Sequence, residues 1–392
     1  MDYPTRYATG SGVVLSWASL LDDNTRLQAE MISRSEVVKG HVALMPDAHL
    51  GMGATVGCVI PTKDAIIPAA VGVDIGCGMI ARHTSLKRGD IALEAARLIL
   101  GDIRRRIPSG VGEGHATPSD AAEEFFASRE KPLWHVPGLI ERGMNQFGTL
   151  GSGNHFVEVS SDQNEDVWLV LHSGSRGIGN QIAMYYIKQA LEECVVRNVQ
   201  LEHKDLAYLR VGTNLFEWYI HDMLWAQAYA WAQREEMMRQ LDAAVATHVS
   251  GEVWLDDVET IHCHHNYSEK QPDGTWLSRK GAINAEVGSR GIIPGSMGAE
   301  THIVTGLGNP ESYCSAPHGA GRLLSRGGAK KTLSLEEFKA QMQNITWNDR
   351  DAQKLLDEAP FAYKPIKQVM QDAASLVRTD AVLSQFINFK GA

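Results

Sequence analysis

The sequence has few cysteines, and no two of them form a CxxC pair. They are odd in number and lie far apart in the chain, at positions 58, 77, 194, 263 and 314. Secreted domains held together by disulfides usually carry an even number of cysteines at close spacing. The cysteine pattern therefore excludes a disulfide framework and favours a reducing, intracellular compartment.

Long hydrophobic runs are also lacking. No apolar stretch approaches the about 20 residues that a membrane-spanning helix requires. Residues 1–25 contain neither a basic segment nor the continuous apolar segment of a secretory leader. From these absences we expect a cytoplasmic protein that does not associate with membranes.

Positive charge is in deficit, with 37 Lys and Arg against 47 Asp and Glu and a formal net charge of −10. This balance excludes a basic coat over the whole surface of the kind that binds nucleic acid without specificity. A local basic pocket remains compatible with it, because phosphate contacts depend on the local field and not on the total charge.

The 392 residues, 44% of them hydrophobic, can form one large domain or two to three average ones. No linker-like segment and no internal repeat divides them. Apolar spacing predicts helices over residues 90–106, 121–128, 180–196 and 215–248, with Trp218, Trp225, Trp231, Met237 and Met238 of the last one in the core. Short strands are predicted over residues 39–80, 167–171 and 253–261.

Strands and helices do not alternate regularly, which argues against a doubly wound parallel sheet. We predict an α+β fold in one domain over residues 1–392, with β-sheets and outer helices around a central cleft.

Residues 71–79 place a carboxylate, Asp74, and a thiol, Cys77, three positions apart among Gly72, Gly76 and Gly78. A hard oxygen and a soft sulfur in a tight turn can hold a transition metal. The alternative is a Gly-rich turn after a buried strand, with Cys77 as a small core residue. Asp47 and His49, at the end of an earlier strand, are interpreted as surface residues or as supports of a site.

Two further clusters follow strands. Residues 151–158 contain Asn154, His155 and Glu158, and in a strand His155 would point away from the other two. The apolar run 167–171 ends at His172, and a Gly-rich turn with Arg176 then opens a helix near residue 180, which is typical of an anion site.

Residues 262–265 read His-Cys-His-His, and alternation along a strand offers a metal either His262 and His264 or Cys263 and His265. Residues 288–298 are interpreted as a loop of small residues suited to a nucleotide.

The last cluster sets His318 between Pro317 and the small residues 319–321, and Arg322 and Arg326 would follow one and two helical turns later. Together, the clusters indicate a metal site beside a site that handles phosphate.

The segments 71–79, 151–158, 172–179, 264–266, 294–298 and 318–322 resemble, in order, the signature motifs of the RtcB-type RNA ligases. The resemblance runs from about Pro46 to Gly391. It implies an RtcB-like fold and a GTP-dependent enzyme with two Mn²⁺ ions. Such an enzyme joins an RNA 3′-phosphate or 2′,3′-cyclic phosphate to a 5′-hydroxyl, through histidine–GMP and guanylylated RNA intermediates, in tRNA splicing or RNA repair.

The resemblance also implies roles for individual residues. His318 corresponds to the guanylylated nucleophile, and Cys77 to a thiolate that bridges the two metal ions. The remaining metal ligands would be Asp74, His155, His172 and, as the histidine directly before Asn266, His265. Nucleotide contacts would be Asn154, Glu158, Ser296, Thr301, Gly319, Gly321 and Lys390. We further predict that Arg176, Arg322 and Arg326 bind RNA phosphate.

Two positions depart from the family pattern: Thr301 stands where many members have serine, and Ala392 follows the usual terminal Lys-Gly. The Lys-x-Asp-Gly motif of the lysine-based nucleotidyl ligases is absent, which is consistent with a histidine nucleophile. Cysteine and histidine ligands alone favour zinc, so Mn²⁺ rests on the resemblance. An archease-type activating partner is a further implication.

Two alternative functions compete with RNA ligation. A metal-dependent RNA phosphatase or cyclic phosphodiesterase would use the ions to activate water. A non-catalytic RNA- or metal-binding relative would not retain all of the predicted ligands and the nucleophile.

Overall fold

The computed structural model describes residues 3–249 and 259–391. Its strands are β1 Thr5–Thr9, β2 Gly12–Ser16, β3 Val42–His49, β4 Val56–Thr62, β5 Ala65–Ile66, β6 Gly78–Lys87, β7 Phe156–Ser161, β8 Asp166–Ser173, β9 Leu209–Arg210, β10 Thr260–His264, β11 Asn266–Lys270, β12 Trp276–Lys280, β13 Ala282–Asn284, β14 Arg290–Pro294, β15 Thr301–Gly306, β16 Ser315–Pro317 and β17 Val377–Lys390. Its α-helices are α1 Asp23–Ser33, α2 Pro68–Val71, α3 Leu93–Arg106, α4 Asp120–Ala127, α5 Leu139–Gln146, α6 Arg176–Val196, α7 Asn214–His248, α8 Arg326–Thr332, α9 Leu335–Gln341, α10 Ala352–Leu355 and α11 Ile366–Asp372.

Six strands form the first sheet in the order β1-β2-β3-β4-β12-β11. Only β2 and β3 run parallel within it. The pairing of β3 with β4 shifts register between Leu44 and His49. An irregularity of this kind redirects side chains, and it contains Asp47, which is completely buried.

Seven strands form the second sheet in the order β10-β6-β8-β7-β17-β15-β14, all antiparallel to their neighbours. Its strand β8 is covered on both faces, which explains its continuous apolar sequence. Leu169 and Leu171 pack in one cluster with residues of α3 and α7, whereas Trp168 and Val170 pack in a cluster on the other face. The strand then ends in a buried His172.

The long helix α7 begins at the N-cap Thr213, whose side chain accepts a hydrogen bond from the backbone N–H of Phe216. As predicted, Trp225, Met237 and Met238 are buried. The prediction for Trp218 is wrong, because 48% of this residue is exposed.

Three local predictions need correction. Helix α6 begins at Arg176 and not near residue 180. Residues 288–298 are not one loop, because Arg290–Pro294 pair with β15 as a strand. Arg322 does not follow His318 on a helix, since the next helix, α8, begins only at Arg326. Residues 253–258 of the predicted strand 253–261, and Ala392, lie outside the described residues.

The α+β class, with two large sheets and outer helices, is confirmed, and a doubly wound parallel sheet is excluded by the antiparallel pairings. That a single domain extends over residues 1–392 stays a prediction. In the part of the chain that the structure describes, no helix is long and apolar enough to cross a membrane.

Candidate active site

The antiparallel register of the second sheet brings four of the sequence clusters to one edge. Met79 and Phe156 both lie opposite His172, on either side of β8. His264, at the end of β10, lies opposite Gly78. Residues just outside the strand ends, among them Cys77, therefore converge from segments that are up to 188 residues apart in the sequence.

Three imidazole rings surround the sulfur of Cys77. The Nε2 atoms of His172 and His155 lie 3.2 and 3.4 Å from Cys77 Sγ. The Nε2 atoms of His172 and His265 are 2.9 Å apart. All four side chains are buried.

The outer ring nitrogens of these histidines all face oxygen acceptors. His155 Nδ1 lies 2.9 Å from the Leu150 carbonyl and His172 Nδ1 lies 3.3 Å from the Asn154 carbonyl. His265 Nδ1 lies 3.3 Å from Asn266 Oδ1, which also accepts a hydrogen bond from Gly281 N–H. These contacts assign the ring proton to Nδ1, so three Nε2 lone pairs point at one another and at the sulfur.

Burial lowers the pKa of His172 and of His265 well below the usual range, so both rings are neutral. Burial and the nearby Asp74 charge raise the pKa of Cys77 well above its ordinary value. Neutral imidazoles are the form that binds metals, and a cation supplies the charge that a thiolate at this position needs.

Asp74 completes the cluster. Its Oδ1 accepts hydrogen bonds from the backbone N–H and the hydroxyl of Ser175, and its Oδ2 lies 3.2 Å from His155 Nε2. Burial alone would raise the pKa of Asp74, but its hydrogen bonds and its interaction with the His155 ring lower it to about 2. Gly174 is required here, because a Cβ at this position would lie 2.2 Å from the carboxylate oxygens.

The donor atoms form two groups, Cys77 with His172 and His265, and Asp74 with Cys77 and His155, and within each group all atoms lie within 4.8 Å of one another. The lone pairs of these atoms point toward one another without enough protons to bridge them, so each group is suited to bind a cation. Cys77 belongs to both groups. Alternation along the strand left two pairs of candidate ligands in residues 262–265. Of these four residues, only His265 belongs to a donor group. Cys263 packs among apolar side chains, and His262 and His264 contact Arg234.

A cavity of about 320 Å³ opens beside this cluster. The predicted site residues that line it are Asp74, Cys77, Asn154, Glu158, His172, His265, Ser296, His318, Gly319, Gly321, Arg322, Arg326 and Lys390. The rings of His318 and His265 lie 4.7 Å apart, centre to centre. The cavity therefore joins the predicted metal, nucleotide and nucleophile motifs.

Asp47 contacts both the backbone and the ring of His318 and holds the ring in place. One oxygen of this carboxylate accepts hydrogen bonds from the backbone N–H groups of His318 and Gly319, and it lies 2.6 Å from His318 Nδ1. Gly321 permits this contact, because its φ is +73° and a Cβ would lie 2.0 Å from the Asp47 carbonyl oxygen. Buried Lys364 donates to the carbonyls of Pro46 and Ala48.

Of the two interpretations of Asp47, the surface one is therefore wrong. The sequence places Asp47 at the end of a strand, but no local pattern predicts that it positions His318.

Besides His155, which belongs to the Cys77 cluster, two predicted site residues do not line this cavity. Thr301 does not line the cavity, but it is buried, and its hydroxyl lowers the pKa of Glu158. Arg176 lines a separate cavity of about 490 Å³ together with Asp74 and His155, where it donates a hydrogen bond to Thr149.

A buried carboxylate that no sequence motif marks, Glu358, pairs with the cations of the main cavity. Its oxygens lie 2.9 to 3.3 Å from Arg322, Arg326 and Lys390. Arg322 also donates to the Asp357 carbonyl and the Tyr363 hydroxyl. Both arginines are thus held at the cavity wall, where an anion would meet them.

Glu158 should make the stability of the protein depend on pH. Burial raises its pKa to about 8, despite opposing effects of Lys390, Asn388 and Thr301. The folded carboxyl thus keeps a proton that the unfolded chain loses near pH 4.5. The free energy of unfolding should fall between these values as pH rises, by at most about 1.4 kcal/mol per pH unit.

Urea unfolding at pH 5.5 to 8 tests this expectation with Glu158→Gln, which should remove that contribution to the slope. The exposed Glu94→Gln is the matched control and should keep the wild-type slope. An unchanged slope in Glu158→Gln would contradict the expected burial effect.

Arg234 of α7 lies behind the metal-ligand cluster and is completely buried. Its guanidinium donates to the carbonyls of Gly76 and Ser173, which directly precede and follow the candidate ligands Cys77 and His172. It also contacts His262 and His264. Burial lowers its pKa only to about 10, so it stays charged at neutral pH.

Replacing Arg234 by Met should weaken Co²⁺ binding about tenfold or more, because the carbonyls beside two ligands lose their donor. Co²⁺ titration followed by the thiolate-to-metal absorption band measures this affinity. Arg239→Met, on the exposed side of the same helix, is the control. Wild-type affinity in the Arg234 variant would show that the guanidinium does not position the ligands.

Known proteins are similar in sequence to this chain over almost its entire length. The profile of the family described as tRNA-splicing ligase RtcB matches residues 28–137 and 123–391. The RNA-splicing ligase RtcB of Escherichia coli K12 is 39% identical over 401 aligned residues, covering 95% of each chain. The tRNA-splicing ligase RtcB of Pyrobaculum aerophilum is 29% identical, over 84% of this chain and 83% of its own. With its two-sheet fold and its Cys77-centred cluster, the chain therefore belongs to the RtcB family.

Proposed function

We propose that the protein is a GTP- and Mn²⁺-dependent RNA ligase that joins a 3′-phosphate or 2′,3′-cyclic phosphate end to a 5′-hydroxyl end. The observation that carries this proposal is the position of His318, whose ring lies 4.7 Å from that of the metal-ligand candidate His265 within one cavity. The names of the relatives, RNA-splicing and tRNA-splicing ligases, support RNA as the substrate.

The proposed first step uses His318 as a nucleophile toward GTP. Asp47 faces Nδ1, which leaves Nε2 as the attacking atom. A bond forms between Nε2 and the α-phosphorus, the bond from that phosphorus to the bridging oxygen breaks, and pyrophosphate leaves. The negative charge of Asp47 stabilises the positive charge that develops on the ring.

Two Mn²⁺ ions would be held by the two donor groups, with Cys77 shared between them. Ions at these positions would neutralise phosphate charge and orient the reacting oxygens. Asp74, the carboxylate of the set, is the ligand that favours Mn²⁺ over zinc.

The later steps transfer the guanylyl group to RNA and seal the ends. An RNA 3′-phosphate oxygen attacks the α-phosphorus and displaces His318, and the 5′-hydroxyl then attacks the RNA phosphorus and releases GMP. Cyclic phosphate ends are first opened by water. Arg322 and Arg326, held at the cavity wall by Glu358, are proposed to bind the RNA phosphate.

Arg176 lines the neighbouring cavity beside Asp74 and His155 and is proposed to bind phosphate there. Asn154, Glu158, Ser296, Gly319, Gly321 and Lys390 line the cavity and are proposed to contact the nucleotide, with Thr301 acting through Glu158. We propose roles in tRNA splicing or RNA repair, with an archease-type protein as the activating partner.

Incubation with α-labelled GTP and Mn²⁺, followed by a denaturing gel, tests the proposal. A labelled protein band, and joining of RNA with 3′-phosphate and 5′-hydroxyl ends, are expected. Release of phosphate, or opening of cyclic phosphate, without any adduct or joining would favour the phosphatase or cyclic phosphodiesterase instead.

A further inference from the structure

Two adjoining cavities on the outer side of helix α3, of about 700 and 350 Å³, form one surface feature that we call the basic groove. Leu93, Arg97 and Leu100 line the first cavity and Arg104 lines the second. These positions are four, three and four residues apart, so they share one face of α3. The opposite wall is formed by residues within the segment 339–354.

The basic groove leads to the candidate active site. Asp349 lines the first cavity and Asp351 the second, only two residues later, so the cavities adjoin on both walls. Lys390 lines the second cavity and also the cavity that contains His318. The basic groove and the candidate active site therefore lie on either side of Lys390.

The cations of the basic groove are available to a ligand. Arg97, Arg104 and Lys339 are exposed, and none of them pairs with a carboxylate within the described ranges 3–249 and 259–391. Arg88 stacks over the ring of Phe386 at 4.1 Å and donates to the Ile91 carbonyl. Three carboxylates, Glu113, Asp349 and Asp351, also line the groove, but six Lys and Arg residues outnumber them. In a protein with a net charge of −10, this local excess of positive charge forms a site for a polyanion.

An aromatic ring lies in the same groove. Trp347 lines the first cavity and is half-buried against Phe338, with the ring centres 5.2 Å apart. Aromatic rings between basic residues are typical of surfaces that bind single-stranded nucleic acid, because bases stack on them whatever their sequence.

We propose that the basic groove binds the phosphate backbone of the RNA strand whose end lies beside His318, several nucleotides away from that end. This inference rests on the proposed function. Arg97 and Arg104 lie seven residues apart, which is about 10 Å along a helix axis, so they contact different phosphates. The groove supplies affinity for the body of the RNA, whereas the residues of the active site recognise its end.

The double variant Arg97→Ala/Arg104→Ala tests the groove. Both residues are exposed, so the fold should be kept. With a fluorescent single-stranded 20-mer carrying a 3′-phosphate, the dissociation constant should rise about tenfold at low salt. The slope of log affinity against log salt should fall by about 1.4, since each single-strand phosphate contact contributes about 0.7.

Arg105→Ala is the matched control, because Arg105 lies on the same helix, is exposed and pairs with Asp102 instead of lining the groove. A 3′-phosphorylated trimer, too short to reach Arg97, should bind the double variant and the wild type equally. An unchanged affinity and salt slope for 20-mers with 3′-phosphate and with 5′-hydroxyl ends would overturn the proposal. Equal weakening in the Arg105 variant would overturn it as well.

A separate readout distinguishes this inference from the proposed function. Transfer of label from GTP to the double variant should be unchanged, since the groove does not touch His318. If the wild type forms no GMP adduct, the proposed ligase chemistry fails, but the RNA titrations still decide whether the groove binds RNA.

Discussion

Replacing His318 by alanine is expected to abolish the labelled GMP adduct and the joining of 3′-phosphate to 5′-hydroxyl ends. The methyl group of alanine cannot attack phosphorus. Among the histidines of the described residues that line the main cavity, only His318 has a carboxylate, that of Asp47, beside its Nδ1. The loss should exceed about a thousandfold, as for other nucleophiles whose removal ends covalent catalysis. A denaturing gel after incubation with labelled GTP measures the first effect directly.

The same variant should still seal RNA that already carries an activated 3′-guanylyl end, because that step needs no nucleophile on the protein. The exposed His203→Ala variant is the control and should form the adduct normally. The adduct of the wild type should be labile to acid, as histidine phosphoramidates are. An adduct that still forms on the His318→Ala protein would show that another residue is the nucleophile.

Replacing Cys77 by alanine is expected to have the second large effect, the loss of bound metal together with all ligation. Each donor group contains three residues, and Cys77 belongs to both. Its removal therefore leaves two donors in each group. Two protein ligands are too few to bind a metal ion tightly. Metal content after dialysis against Mn²⁺, measured by mass spectrometry, should fall at least tenfold.

Cys314→Ala provides the matched control, since this half-buried thiol lies outside the donor groups and its loss should leave metal content unchanged. Thermal unfolding of both variants separates ligand loss from misfolding. Wild-type metal content and activity in a folded Cys77→Ala protein would remove the thiol from the site.

Local sequence patterns were sufficient for much of the fold. The apolar run before His172 predicted a buried strand, and β8 is buried on both faces. Apolar spacing predicted α3, α4 and α7 to within a few residues. Trp218 was misplaced because spacing identifies an amphipathic stretch but does not fix which aromatic residue faces the neighbouring element.

The arrangement of the site required the tertiary structure where partners are distant in sequence. Asp47 and His318 are 271 residues apart, and their contact depends on the register shift between β3 and β4. Arg234 sits within a long helix among other polar residues, so no local signal marks its contacts with Gly76 and Ser173.

The sequence by itself was enough to select the candidate site residues, because thiol, carboxylate and imidazole groups beside glycines and strand ends are local features. The motif resemblance selected His265 from its neighbours. The tertiary structure decided which groups meet: His262 and His264 contact Arg234, Arg176 faces a separate cavity, and Thr301 is buried outside the main cavity. The physical reason is that strand register and helix packing, which set these contacts, depend on the burial of surfaces from the whole chain.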